Sequence, residues 1–309
     1  MSTRVSTIGN YNAVLANLMA AQQRQIDAGE RVATEKKGSD LKDYAKKAEI
    51  LTAMRAVKAR TAGYLEQNTL IADKLATQDA ALNQIADSAK STRESIAEAL
   101  ASGRADTLMQ DLEAQMRSSV EGMNARYGGK YVFAGGQIDT PPVVTNSLSD
   151  LTADPVIANQ FKNDTFVTQA KVDDSTTVNT GILASNLGTN LLTAYQTLQT
   201  FQEGASGPFT GELTDAQKTF LEGQLATWDS IHDNLTNITG RNGLVQKRVE
   251  SIATDLTSRG DSLQGMIGGI TDADMAEAAT ALDQARTSVQ AVAQVILSLQ
   301  QSSLLNLLR

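Results

Sequence analysis

Residues 50–99 read ILTAMRAVKARTAGYLEQNTLIADKLATQDAALNQIADSAKSTRESIAEA. Ile50, Met54, Val57, Thr61, Tyr64, Asn68, Ile71, Leu75, Gln78, Leu82, Ile85, Ala89, Thr92, Ile96 and Ala99 follow one another at steps of three and four. That alternation keeps one stripe on one side of a helix. Sustained over so many turns, it predicts a coiled-coil-like rod of about 75 Å at 1.5 Å per residue. Asn68 and Gln78 are polar members of the seam, of the kind that fixes register at some cost in stability. Gly103 ends the run.

A matching seam lies far downstream. Leu221, Trp228, Leu235, Asn242, Val249, Leu256 and Leu263 recur every seven residues. Ile238, Val245, Ile252 and Met266 supply the alternate position. Thr214, after Gly211, opens this second rod. Gly240 and Gly243 weaken its middle by about 1 kcal/mol each relative to Ala, and Gly265, Gly268 and Gly269 read as a joint at its end.

Both chain ends carry a further helix. Near the start, Ile8, Tyr11, Leu15 and Leu18 make a stripe over residues 5–28, widened by Val14 and Met19. The last stretch, from Thr271 on, has Leu282, Ala285, Val289, Val292, Ile296 and Leu299 as a seam, then Leu304, Leu305, Leu307 and Leu308. Thr271 with Asp274 has the spacing of a capping box. Each terminal helix has too little chain around it to bury its stripe, so these residues form a candidate assembly interface. The stretch 29–40 between the first helix and the rod is a break, with Ser39 or Asp40 as a cap. Its lysines at 36, 37, 42, 46 and 47 alternate with Glu35, Asp40, Asp43 and Glu49, which reads as a solvated face and not a nucleic-acid patch.

Between the rods the texture changes. A third helix over 106–126, with Met109, Leu112, Met116 and Met123 inward, leads to Gly128 and Gly129, then Lys130, Tyr131, Val132, Phe133, Ala134, Gly135 and Gly136. This is a turn, a short β run and a second turn. Beyond Pro141 and Pro142 the chain to about residue 208 is rich in Thr, Asn, Asp and Val, with strand-like pieces at Thr165–Val167 and Thr176–Val178. It reads as a small, partly β insert that leaves through a helix over 187–201. The expected fold is mainly α: an elongated antiparallel helical bundle formed by the two ends of the chain, carrying a short β-hairpin and the insert. The expected divisions are 1–40 with 268–309, 41–138 with 209–267, and 139–208.

Composition agrees. The 309 residues include no Cys, one Trp and one His, and only 4% are aromatic. Disulfides, thiolate metal sites and a Cys nucleophile are thereby excluded. His232 alone cannot build a His cluster, and the carboxylates at 272, 274 and 277 lack the glycine and distal glutamate of an EF-hand. No phosphate-binding glycine motif occurs. Asn234-Leu-Thr236 and Asn237-Ile-Thr239 match the glycosylation pattern on a predicted helix. With the catalytic checklist empty, neither an enzyme, a cofactor nor a metal is expected. The net charge of -8 is uneven: residues 1–60 carry +5 and the rest -13. No bilayer-spanning run or conventional secretory signal is read in the chain.

The order of helices, the Gly129–Gly135 segment, the Ile270-Thr271-Asp272-Ala273-Asp274 stretch and the Ser-Leu-Leu-Asn-Leu-Leu ending resemble the flagellin superfamily. Tyr131, Val132, Phe133 and Gly135 are most similar to the hook-associated proteins of the hook–filament junction, whereas Asp272 and Asp274 are shared with flagellin. The resemblance covers roughly residues 1–136 and 214–309. Gly29-Glu30-Arg31-Val32 keeps the family's Gly-x-Arg start, but Gly38–Leu41 lacks its Asp-Asp-Pro. Thr239–Gly243 is similar to its Arg/Asn turn with altered spacing. The resemblance implies a secreted adaptor in the extracellular flagellum. It would join hook to filament, with other hook-associated subunits, flagellin and further copies of itself as partners. Export unfolded through the flagellar type III apparatus is implied, with an export chaperone beforehand, and no nucleic acid or membrane as partner. A filament subunit is the nearest alternative; a cytoplasmic coiled-coil scaffold is the alternative of another class.

Overall fold

The computed structural model describes residues 2–307, with side-chain environments for residues 11–301. The side chains of Ile8, Leu304 and Leu305 and the whole of Leu308 lie outside the described residues. Helices α1 (Ser2–Thr34), α2 (Ala48–Ser102), α3 (Leu108–Met123), α4 (Leu148–Ala153), α5 (Ala184–Glu203), α6 (Asp215–Thr271) and α7 (Met275–Leu307) dominate the chain. Strands β1 (Arg126–Tyr127) and β2 (Lys130–Tyr131) form one antiparallel hairpin, and β3 (Gln169–Lys171) and β4 (Thr177–Asn179) a second. The fold is mainly α.

Two compact units divide the chain: residues 61–257, and residues 1–60 together with 258–309. In the first unit α2 and α6 run antiparallel. Leu75 carbonyl accepts from Asn242 Nδ2 at 3.1 Å, and Arg93 pairs with Asp229 at 2.8 Å. All of Leu221, Trp228, Leu235, Asn242, Val249, Leu256 and Leu263 are buried, across both units. So are the α2 seam positions from Thr61 to Ala99, except the half-buried Tyr64. At the start of α2 the inward residue is Leu51, fully buried, in place of the predicted Ile50, which is exposed. From Leu51 the steps to Met54 and onward keep the seam in phase.

The core of this unit is wider than a two-helix seam. Leu112 and Met116 of α3, and Leu191, Tyr195 and Leu198 of α5, join Leu82, Ile85 and Ile96 of α2 and Trp228 of α6. Tyr195 meets Trp228 edge-on, ring centroids 4.7 Å apart, a favoured aromatic geometry. Its hydroxyl lies 2.7 Å from Thr92 Oγ1, and burial pushes its ionisation well above the ordinary tyrosine range. Thr92 also donates to Ser88 carbonyl. A buried hydroxyl thus finds the partner that burial demands.

The insert contains more helix than strand. Helix α5 extends the expected 187–201 in both directions, and α4 is a single capped turn held by Ser147 and Asp150. Strand β4 covers two of the residues expected at 176–178, but Thr165–Val167 is not a strand. Val172 and Val178 of the second hairpin pack with Ile71, Leu75 and Val249. Asn68 donates to Val172 carbonyl at 3.1 Å, and Gln78 donates to the carbonyls of Thr180 at 3.0 Å and Val132 at 3.3 Å. The two polar seam residues therefore tie insert and hairpin backbone to α2.

In the second unit α1 and α7 pack side by side. Helix α1 passes the predicted break at Gly29 and ends at Thr34. Helix α6 likewise runs through Gly265, Gly268 and Gly269, so the expected glycine joint does not form there. Each glycine costs about 1 kcal/mol, which the flanking helix absorbs. The chain turns instead at residues 272–274, where the backbone groups find partners outside the helix.

Candidate assembly surfaces

The Tyr-Val-Phe-Ala-Gly segment is an anchor built around two turns. Gly128 and Gly129 take φ of 57° and 81°, the pair of positive values that a two-residue primed hairpin turn requires. Tyr131, Val132, Phe133 and Ala134 are buried. Arg126 lies 4.2 Å over the Tyr131 ring and bonds to its hydroxyl. Phe133 carbonyl accepts from Ala184 N–H at 2.9 Å at the head of α5.

Gly135 and Gly136 close the segment against residue 164. Asp164 Oδ1 accepts the N–H groups of Gly136 and Phe166, each at 2.9 Å. These two backbone bonds hold the Asp164 carboxyl below its ordinary range. Gly135 has φ 67°, and a Cβ there would stand 2.2 Å from Asp164 Oδ1; one at Gly136 would stand 2.6 Å from Oδ2. The two glycines are thus required by the carboxylate's approach. Phe166 and Val167, on the loop so held, are exposed. The role of Asp164 is not legible in the sequence, because its partners are backbone groups, one of them 28 positions away at Gly136.

The terminal pair has two apolar faces. On α1 the inward positions are Val14, Leu18, Ala21, Gln25, Ala28 and Val32, at alternating steps of four and three, and only Ala21 and Ala28 among them are buried. Leu18 of the predicted stripe is half-buried; Tyr11 and Leu15 are exposed, as are Met19 and Ile26. On α7 Leu282, Val289, Val292, Ile296 and Leu299 are half-buried with Ala278 and Ala285 buried, whereas Val295 and Leu297 are exposed. Gly29 faces Leu282, whose Cδ1 would lie 3.9 Å from a Cβ at that position.

The corner between α6 and α7 differs from the predicted capping box. Asp274 is the cap: its Oδ1 accepts from Ala276 N–H at 2.9 Å and Glu277 N–H at 3.2 Å. Thr271 lies at the end of α6, and its hydroxyl donates to Ile267 carbonyl at 3.0 Å. Thr271 carbonyl accepts from Lys37 N–H at 2.8 Å, and Ala273 N–H donates to Glu35 carbonyl at 2.9 Å. Asp272 pairs with Lys36 at 2.5 Å, which together with the Thr271 hydroxyl holds its carboxyl low. Tyr44 hydroxyl donates to Gly38 carbonyl at 2.7 Å.

Among the described residues no cluster of metal-ligating side chains is present and no helix is long and apolar enough to cross a membrane. His232 is half-buried and 3.8 Å from Asp233.

Residues 225–308 match the family model of the bacterial flagellin C-terminal helical region. No curated protein matches the chain. Among solved structures, a protein described as a flagellar hook-associated protein of Vibrio parahaemolyticus superposes with TM-score 0.60 at 14% identity, over 74% of this chain and 100% of that one. Bacillus cereus FlgL superposes with TM-score 0.53 at 13% identity, over 71% of this chain and 99% of that one. Residues 225–308 are thus similar to the C-terminal helical region of the bacterial flagellins, and the fold is shared with flagellar hook-associated proteins.

Proposed function

We propose that this chain is a structural adaptor of the bacterial flagellum that joins hook to filament through packing of its terminal helices. The observation that carries the reading is the outer face of α1. Tyr11, Leu15, Met19 and Ile26 are exposed on a helix whose buried seam positions, among the described residues, are both alanine. Burying a large apolar side chain contributes roughly 1.5–3 kcal/mol, so this face gains stability only against another surface. In a chain whose C-terminal region is flagellin-like, the matching surface belongs to neighbouring subunits of the tube: further copies, other hook-associated proteins and flagellin. Val295 and Leu297 add exposed apolar side chains on α7, one on each side of its inward seam. Leu18, Leu282, Val289, Val292, Ile296 and Leu299 serve the pairing of α1 with α7, and Ile8, Leu304, Leu305 and Leu308 complete the interface at the ends.

In this reading residues 1–40 and 268–309 are assembly segments, 41–138 and 209–267 the supporting rod, and 139–208 a variable insert. The terminal segments complete their folding on assembly, and their ordering takes a few kcal/mol from the interaction. The protein acts outside the cell after type III export, escorted by a chaperone, and by structure alone, without catalysis. Electron microscopy of a deletion strain tests this. Hooks without filaments, with flagellin in the medium, are expected; normal filaments overturn the reading. The flagellin-like region at 225–308 also suits a filament subunit, and growth of the purified chain into long filaments from seeds would favour that role instead.

A further inference from the structure

We propose that the contact between residues 35–38 and 271–273 is a clasp that sets the register of α1 against α7. It concerns the pair itself and holds whatever surface the pair docks on. The two seams specify register poorly. Among the described residues, the buried members on α1 are Ala21 and Ala28, seven apart, and on α7 Ala278 and Ala285, also seven apart. Val289 and Ile296 are likewise seven apart among half-buried neighbours. A slip of one heptad moves α1 about 10.5 Å along α7. It places Ala28 where Ala21 stood and Val289 where Leu282 or Ile296 stood, and the polar exception is Gln25, seven residues from Leu18 and from Val32 and only half-buried. Hydrophobic seams of repeating small and branched residues therefore leave several alignments close in energy, and a polar feature is needed to choose among them.

The clasp has that specificity. Lys36 and Asp272 form an antiparallel bridge pair. Its backbone bonds run from Lys37 N–H to Thr271 carbonyl at 2.8 Å and from Ala273 N–H to Glu35 carbonyl at 2.9 Å. Lys36 Nζ adds the ion pair to Asp272, and Lys37 Nζ reaches Gly269 carbonyl at 3.3 Å. These bonds sit one residue beyond the end of α1 and just before the start of α7. Any slip of the helices must break all of them together, since a strand pair cannot shift without exchanging its partners.

The absence of Cys from the chain allows a direct test. Gly29→Cys with Leu282→Cys reports the native register, and Gly29→Cys with Val289→Cys reports a one-heptad slip. Each pair is made in the full chain and treated with a short thiol cross-linker, alone and with either Lys36→Ala plus Asp272→Ala or Ala273→Pro. Trp228 fluorescence verifies that residues 61–257 stay folded. With the clasp intact, the native link should exceed the slipped link at least tenfold. With the clasp broken, the slipped link should rise to within a few-fold of the native one. Slipped links in the unbroken background overturn the proposal, as does a native-only pattern in both clasp variants. Loss of both links in those variants also overturns it, because the clasp would then hold the helices together without choosing their alignment.

Discussion

Asp164 Oδ1 stands 2.9 Å from the backbone nitrogen of Gly136 and 2.9 Å from that of Phe166, so one carboxylate oxygen joins the Tyr-Val-Phe-Ala-Gly-Gly turn to the loop bearing Phe166. Both bonds favour the ionised form and lower its pKa from the ordinary 3.8. The stabilisation is therefore present above pH 3.8 and is lost as pH falls through the lower folded value. Asp164→Asn should lower the melting temperature at pH 7 and leave a smaller loss of stability below pH 4, checked by thermal melts from about pH 7 to 2.5. Gly135→Ala should cost at least the roughly 1–2 kcal/mol of a left-handed non-glycine residue, since its Cβ also meets the carboxylate.

Trp228 is fully buried against Tyr195. Trp228→Ala should destabilise residues 61–257 by about 3–5 kcal/mol, the usual range for an emptied aromatic site. Urea unfolding followed by far-ultraviolet circular dichroism measures it. Trp228→Phe keeps most of the apolar volume and should cost clearly less.

Asp274 and Thr271 separate two readings of one corner. Asp274 caps α7, so Asp274→Ala should cost about 1 kcal/mol. That loss should appear as faster hydrogen exchange over residues 275–280. Thr271→Ser keeps the hydroxyl bond to Ile267 and should leave α7 exchange unchanged.

How far the sequence reveals this protein varies along the chain. The heptad from Leu221 to Leu263 is legible because each member is buried in the helix it predicts. The hairpin is legible because Gly128 and Gly129 carry its turn. The sequence suggests a corner at Gly265–Gly269, ahead of the true one, because glycine's local cost is visible whereas the bonds that end α6 come from Glu35 and Lys37, far away in sequence. Large apolar residues dominate a periodicity count, which places the α1 stripe through Tyr11 and Leu15. The inward face is instead marked by Ala21 and Ala28, small enough for close helix approach. Thr165–Val167 alternates like a strand, yet Asp164 bends its backbone into a turn.

The central claim is that the outer face of α1 serves assembly and not the stability of the free subunit. Leu15, Met19 and Ile26 are exposed, so replacing all three by Ser should change subunit stability by no more than about 0.5 kcal/mol per site. The decisive measurement is electron microscopy of a deletion strain of the parent bacterium complemented with this triple variant, its export verified in the medium. Bare hooks and secreted flagellin are expected; filaments of normal number and length from the exported variant would show that this face is not an assembly surface.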